Sequence, residues 1–337
     1  MNIEKIKKEL ADIGLETYRI KQIEKAVYKD YVKDFMDIKQ LPKDLRTLLS
    51  QKYSILSFSI DNMFSNSAMD SIKAAIRLKD EKKIETLALK KNSDKWAVCI
   101  STQVGCPVRC AFCMSGRKGL KRNLSSEEIS DQVLFWHQYL KEKKLGSVDS
   151  VVYMGIGEPF FNYNNTIESI EIINIKMGIG KRNISVSTSG HIPSIRQFAK
   201  DMPQVNLAIS LHSANESIRN KLVPLNLRYS LEHLSKATTD YINATKRKVF
   251  IEYVMLKDVN DRLRDAFKLL EWIKKTHRKK YFTVNLIPYN ETNSKFSSSE
   301  LQTIKLFQNF LISNEIETTV RKSLGSEIKG ACGQLAI

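Results

Sequence analysis

Cys99-Ile-Ser-Thr-Gln-Val-Gly-Cys106-Pro-Val-Arg-Cys110-Ala-Phe-Cys113 is the stretch on which the fold is decided. Cys106, Cys110 and Cys113 stand with three and then two residues between them, a loop tight enough to wrap three thiolates around one metal centre. A structural zinc takes four protein ligands, and Cys99 is the sole nearby Cys or His that could be a fourth. A 4Fe–4S cube held by three thiolates instead keeps one iron open. An open iron can chelate an amino and a carboxylate group of one ligand and present the rest of it for one-electron chemistry. Zinc and unrelated thiols are the alternatives.

Around this loop the chain is basic. Its 337 residues carry 54 Lys and Arg against 37 Asp and Glu, a net charge of +17. A lysine-rich genome would raise Lys without preventing Glu from keeping pace, so a polyanionic partner is expected, nucleic acid first. Five cysteines, three of them clustered, argue against a secreted disulfide scaffold and for a reducing compartment. The charged opening Met1-Asn-Ile-Glu-Lys-Ile-Lys-Lys has no apolar core of a signal peptide. No apolar run approaches a membrane span. The expectation is a cytoplasmic protein that does not enter a membrane.

Residues 1–90 read as a small, mainly helical accessory module, a candidate RNA grip, ending in a strand pair. Ile3, Ile6 and Leu10, then Ile20, Ile23 and Val27, recur at helical spacing. Leu41-Pro42-Lys43-Asp44 starts another helix, and strands are expected over 72–78 and 83–89. Lys21, Lys25, Lys29 and Lys33 share a side, either a solvated face or an RNA contact.

From residue 91 to 314 strands alternate with helices. Strands are expected over 96–101, 150–154, 184–187, 205–211, 248–255 and 282–287, with helices over 166–177, 194–200, 231–243 and 261–276 between them. Ser125-Ser126-Glu127-Glu128 reads as a capping box opening a helix that turns Ile129, Val133, Trp136 and Leu140 to one side. Such alternation predicts parallel βα units, here a partial (βα)6 barrel with chemistry at the carboxyl ends of its strands. A helix over 299–314, a strand over 317–321 and a tail to residue 337 complete the chain.

The Cx3Cx2C spacing with Phe112 before its last cysteine resembles the radical-SAM signature. That resemblance implies a 4Fe–4S cluster on Cys106, Cys110 and Cys113, with S-adenosylmethionine (SAM) on the open iron. The motifs at the other strand ends then fit a SAM site. Gly155-Ile-Gly157-Glu158-Pro follows the second strand, Glu158 serving as acceptor for the ammonium group. Ser187 ends the third strand, and Ser210, Leu211 and His212 the fourth, where hydroxyls suit ribose or carboxylate oxygens; loop capping is the plainer reading of each alone. Asn290 reaches the rim after the sixth. Cys332 lies among small residues in Gly330-Ala-Cys-Gly-Gln-Leu335, unlike a core cysteine in a periodic apolar segment. Of the basic runs, Arg117-Lys118 with Lys121-Arg122 is the expected phosphate contact.

From end to end the chain resembles the RlmN/Cfr family of radical-SAM RNA methyltransferases. The resemblance rests on Tyr18-Arg-Ile-Lys-Gln-Ile23, Leu41-Pro-Lys43, Ile84-Glu-Thr86, Cys99 through Cys113, Gly119-Leu-Lys-Arg-Asn-Leu124, Gly155-Ile-Gly-Glu-Pro159, Ser187-Thr-Ser-Gly190, Leu207-Ala-Ile-Ser-Leu-His212 and Ala331-Cys-Gly-Gln-Leu335. It implies methylation of an adenine ring carbon of 23S rRNA near the peptidyl transferase centre, and in the C2-specific branch also of a tRNA adenosine. It implies two SAM molecules per turnover, Cys332 as methyl carrier, Glu85 as proton acceptor, and Cys99 as the thiol that releases product through a transient disulfide with Cys332. A flavodoxin or ferredoxin would donate electrons, and a monomer is expected. Pro159 and Ser189 match the C2 branch, whereas Leu324-Gly-Ser-Glu-Ile-Lys-Gly-Ala331 departs from its Arg-Gly-Asp-Asp-Ile-Asp-Ala-Ala pattern and Met114-Ser115 departs from both branches. C2 is the favoured position. A C8 enzyme conferring antibiotic resistance on ribosomes is the alternative, and a non-catalytic Fe–S RNA-binding paralogue the further one.

Overall fold

The structure is a computed structural model that describes residues 6, 16–292, 294–322 and 324–336. Ile3 and Leu10 of the first expected helix lie outside the described residues. Helices α1 (Thr17–Tyr28) and α2 (Lys43–Lys52) follow, as the apolar spacing predicts, and bury Ile23, Val27 and Leu49.

One ten-stranded sheet organises the rest, its strands adjacent in chain order, while β5 (Gln103–Val104) and β6 (Arg122–Asn123) form a separate pair on either side of the cysteine triplet. Its first part is an antiparallel meander: β1 (Phe58–Ser65), β2 (Ser71–Leu78) and β3 (Lys83–Lys90). The β2–β3 pair was legible in the sequence; β1 was not, because Phe-Ser-Ile-Asp-Asn-Met-Phe-Ser turns mostly polar residues outward and shows little apolar run. β3 then pairs antiparallel with β4 (Lys95–Cys99), which carries the meander into the barrel sheet.

From β4 the pairing is parallel through β7 (Ser147–Tyr153), β8 (Ile184–Thr188), β9 (Asn206–Ser210), β10 (Val249–Met255), β11 (Phe282–Pro288) and β12 (Glu317–Val320). Helices follow the first six strands: α3 (Ser126–Glu142), α4 (Tyr163–Glu171), α5 (Ile192–Asp201), α6 (Glu216–Leu222) with α7 (Leu231–Thr245), α8 (Leu263–Lys275) and α9 (Leu301–Ser313). This is the expected partial (βα)6 barrel. β10 and β11 read as near-continuous apolar runs because both their faces are covered. Beyond shifts of up to three residues at element ends, the barrel departs from the sequence reading at its loops. β4 stops at Cys99, where the chain turns into the cysteine loop. The helix expected over 166–177 widens at Ile172–Met177 into a π turn that Gly178 ends at φ 85°. The short α6 was not anticipated.

Residues of the first barrel strands (Ala97, Cys99, Val152) and of the last (Asn285, Thr319) line one cavity, so the sheet curls around a lumen. The tail packs against β2 and β3. A Cβ on Gly330 would lie 2.5 Å from Leu87 Cδ2, Leu335 joins the main core, and Lys73 Nζ donates to the Lys329 carbonyl at 3.2 Å.

Candidate active site

The cysteine loop is held by buried polar groups that satisfy its backbone. Gln132 of α3 bonds both the amide and the carbonyl of Ser101, at 2.9 Å each, and Asn162 donates to the carbonyls of Thr102 and Leu124 at 2.8 Å each. The Ser125–Glu128 capping box that starts α3 is present as predicted. Gly105, at φ 81°, closes the loop: a Cβ there would meet the Gly119 carbonyl oxygen at 2.0 Å, an approach only glycine permits. Val108 and Phe112 pack with Leu222, Val223, Val254 and Leu256, and the three thiols lean on this apolar cluster.

Cys106, Cys110 and Cys113 line a small cavity of about 150 Å³ together with Gly157, Glu158, Ser187, Ser210 and His212. The structure thus gathers the residues proposed for cluster and SAM onto one site, with Leu211 in the wall behind it, fully buried. Burial pushes the Cys106 thiol up to about 12 and raises Cys110 strongly, the neighbouring thiols adding to both. Such thiols become thiolates only against a cation. Among the described residues no group of three or more His, Cys, Asp or Glu is arranged to hold a single metal ion. Three thiols from one loop on one cavity fit a 4Fe–4S cluster, in which each thiolate takes a different iron and the fourth iron stays open.

Glu158 is buried at 2% exposure. Its carboxylate accepts the amides of Phe160 at 3.2 Å and Ser189 at 2.7 Å, which fixes its orientation and leaves lone pairs for an ammonium group. Burial raises its pKa and the Ser189 amide works against that rise. His212, at φ 58°, accepts the Val254 amide on Nδ1 at 3.1 Å, so its ring proton sits on Nε2. Burial, with Arg219 adding, pushes its pKa down to about 3, so the ring is neutral and serves as a donor rather than a base. The Ser187 and Ser210 hydroxyls are 3.0 Å apart.

Next to this cavity lies the lumen, about 500 Å³, walled by Leu87, Leu89, Phe250 and Ile287 and carrying both Cys99 and Cys332. Cys113, Met154, Gly155, Cys332 and Gly333 border both spaces. Cys332 is exposed and Cys99 buried. Burial, with Cys332 adding, pushes Cys99 up to about 12; the Cys332 thiol is raised too, with Arg321 opposing the rise in both. Asn290 donates to the Cys332 carbonyl at 3.2 Å, Met114 N–H to Gly333 at 2.9 Å, and Ser115 Oγ to Leu335 at 2.8 Å. Asn290 thus tethers the tail cysteine, and it borders the lumen rather than the thiol-lined cavity.

Glu85 does not line either cavity among the described residues. Its carboxylate pairs with Lys73 at 2.8 Å and accepts the Ala336 amide at 2.9 Å, so it anchors the docked tail. Arg122 is also engaged, by Asp80 and Glu128 at 2.7 Å each, and is not available to a phosphate; the rest of that basic run is exposed. Two contributors were missed. Arg219, buried, donates to the carbonyls of Ser189 at 2.7 Å and Leu211 at 3.0 Å and ties two ligand loops together. Glu252, at 3% exposure, lies in the smaller cavity's wall. A lone acid inside Val249-Phe-Ile-Glu-Tyr-Val-Met-Leu256 was the signal for it, since a parallel strand buries a charge only with a partner.

A barrel of parallel strands with three thiols at its carboxyl rim defines a radical SAM enzyme, and the family model of the Radical SAM superfamily matches residues 100–270. Members of that superfamily use a 4Fe–4S cluster and SAM, and this chain does so with them. A second model, the ribosomal RNA large subunit methyltransferase N-terminal domain, matches residues 1–55. The chain is 39% identical over 99% of its length to a probable dual-specificity RNA methyltransferase RlmN of Aquifex aeolicus, covering 95% of that protein. It is 40% identical over its full length to that of Thermotoga sp. strain RQ2, covering 96%. A radical SAM methyltransferase from Sphaerobacter thermophilus superposes with a TM-score of 0.93 at 36% identity, over 99% of this chain and 97% of that one. The chain belongs to the RlmN family of radical SAM RNA methyltransferases.

Proposed function

We propose that this chain methylates C2 of an adenine in 23S rRNA near the peptidyl transferase centre, and of a tRNA adenosine, through a methylated Cys332. The observation that carries this reading is the placement of Cys99 and Cys332, from distant parts of the chain, on one cavity that adjoins the thiol-lined one. When bound, the cluster supplies the electron that lets SAM yield a hydrogen-abstracting radical, which an adenine ring carbon needs because it is too weak a nucleophile for direct methyl transfer.

The protein's own groups divide the remaining work. Cys106, Cys110 and Cys113 hold the cluster, Gly157 leaves room beside Glu158, and Glu158 takes the ammonium of SAM. Ser187, Ser210, Leu211 and His212 line the nucleoside side. Cys332 takes a methyl group from a first SAM, losing its thiol proton, and later carries the one-carbon unit bonded to the base. Glu85 accepts the proton that leaves the ring carbon, and the one unpaired electron left on the ring by radical addition would return to the redox centre held by Cys106, Cys110 and Cys113; the present partners of Glu85, Lys73 and Ala336, mean that the tail must shift for it to act. Cys99 then attacks the Cys332 sulfur. The new S–S bond takes up one sulfur's electrons, the C–S bond breaks, and the methyladenine leaves with that electron pair and a proton. A later two-electron reduction restores both thiols.

The net charge of +17 supports an RNA partner. The chain would work as a monomer in the cytoplasm, where 23S rRNA resides, with flavodoxin or ferredoxin as electron donor, and its residues 1–90 would help to grip RNA. Among the described residues no helix is long and apolar enough to cross a membrane. Leu324 and Lys329, where the C2 branch has Arg and Asp, favour the C8 alternative. Mass spectrometry of rRNA from a host lacking its own enzyme decides between them: co-migration of the new nucleoside with 2-methyladenosine is expected, with 8-methyladenosine supports the alternative, and with neither rejects both.

A further inference from the structure

One rung of the sheet runs from the lumen out to the edge strand. Cys99 of β4 pairs in register with Leu87 of β3, Leu87 with Lys73 of β2, and Lys73 with Phe64 of β1, the first strand of the sheet. Residues directly opposite each other in antiparallel strands share a face. Phe64 therefore stands on the side of the sheet that carries Cys99 and the docked tail. Three strand spacings of about 4.8 Å each put it about 14 Å from Cys99.

The ring is backed on one side and open on the other. Phe64 is 44% exposed, and Lys73 Nζ lies over its ring, 5.2 Å from the centroid. The same ammonium pairs with Glu85 and donates to the Lys329 carbonyl, so the ring leans on the latch of the tail. The turn beyond it is braced: Asn66 Oδ1 accepts the amides of Asp70 at 3.1 Å and Ser71 at 3.2 Å, and Asn66 Nδ2 donates to Asp70 Oδ1 at 2.7 Å. A scattered exposed apolar residue needs no partner. This one differs in its place, on the rung of a catalytic thiol, and in its surroundings. Lys90 and the exposed Lys322 line the lumen, and Lys329 is exposed on the tail. With Lys73 they make the ground between ring and lumen basic.

Cations that track a backbone beside an aromatic face are what single-stranded nucleic acid binds. Chemistry on a base takes it out of its stack, which leaves its neighbours without a stacking partner. We infer that Phe64 is the stacking platform for a nucleotide flanking the target adenine, holding the strand while the adenine enters the lumen. The inference rests on the RNA-methylation reading above.

The test uses the full chain with its cluster reconstituted, and a 23S rRNA fragment that the wild type methylates. Binding is measured by fluorescence anisotropy for this RNA and for versions made abasic at each of the two nucleotides on either side of the target. Loss of one base–aromatic stack predicts that Phe64→Ala weakens binding of the intact RNA about 5- to 100-fold. Phe64→Leu, which keeps apolar bulk without a π-face, should lose nearly as much, and Phe64→Trp should restore binding. One abasic RNA should bind the wild type as weakly as the intact RNA binds Phe64→Ala, and Phe64→Ala should not distinguish the two. Equal binding of the intact and all abasic RNAs by the wild type overturns the proposal, whether or not the variants fold. So does a folded Ala or Leu variant that binds as the wild type does, or an abasic loss of the same size in wild type and Phe64→Ala. Sedimentation covers the other occupant: a wild-type dimer that Phe64→Ala abolishes, with RNA binding unaltered, assigns this edge to a second copy and overturns the proposal. A wild type that methylates no 23S fragment overturns the RNA reading itself.

Discussion

Cys332 can act as a carrier because the residues around it are small and its carbonyl is tethered by Asn290 rather than buried in a core. Cys332→Ala is expected to abolish methylation while the visible absorbance of the cluster stays intact, since the three cluster thiols are separate from it; unchanged methylation would contradict the carrier role. Cys99→Ser should instead stall later. RNA would remain covalently tied to Cys332, seen as a protein–RNA band in denaturing gels that a nuclease removes. These cysteines and Glu158 were legible in sequence because spacing and neighbouring glycines are local. Arg219 was not, and Glu252 showed only as a lone charge in an apolar strand, because the partners of both come from other strands and loops, fixed only once the sheet register exists.

The cysteine loop, α3 and the tail are the elements whose geometry the chemistry needs. Gly105→Ala forces a side chain into a left-handed backbone, costing about 1–3 kcal/mol, and drives its Cβ to 2.0 Å from the Gly119 carbonyl. The expected result is a folded barrel with a distorted loop, read as iron and sulfide contents well below three-quarters of wild type after the same reconstitution. Lys73→Met leaves Glu85 without its ion partner in a largely buried setting, a loss of about 3 kcal/mol. Faster hydrogen exchange over 324–336 should follow, with the barrel strands unaffected; unaltered exchange there would show that the pair does not hold the tail. The capping box of α3 could be read directly from Ser125 and Glu128. The Lys73–Glu85 latch could not, because the contact it makes spans nearly the whole chain.

At the scale of the molecule, α3 also joins the N-terminal segment to the barrel. His137 stacks on Tyr31 with ring centroids 4.3 Å apart, and burial, with Lys29 adding, pushes its pKa down to about 4. The unfolded chain therefore binds the proton more readily between pH 6.5 and about 4. Stability contributed at neutral pH is lost as pH falls through that window, by about 1.4 kcal/mol per unit at most. Urea midpoints should drop from neutral pH to pH 5, and His137→Phe should lessen the drop without abolishing it, because His212 is depressed as well. The barrel itself was readable because six apolar strands alternate with helices. The extent of the sheet was not, since β1 shows itself only through its pairing with β2. The most direct test of the whole account needs no RNA: reconstituted protein is incubated anaerobically with SAM and a reductant, and its peptides are mapped by mass spectrometry. One methyl group on the peptide carrying Cys332, with none on Cys99 or the cluster cysteines, is the result the account predicts; a Cys332 that stays unmodified while rRNA becomes methylated would contradict it.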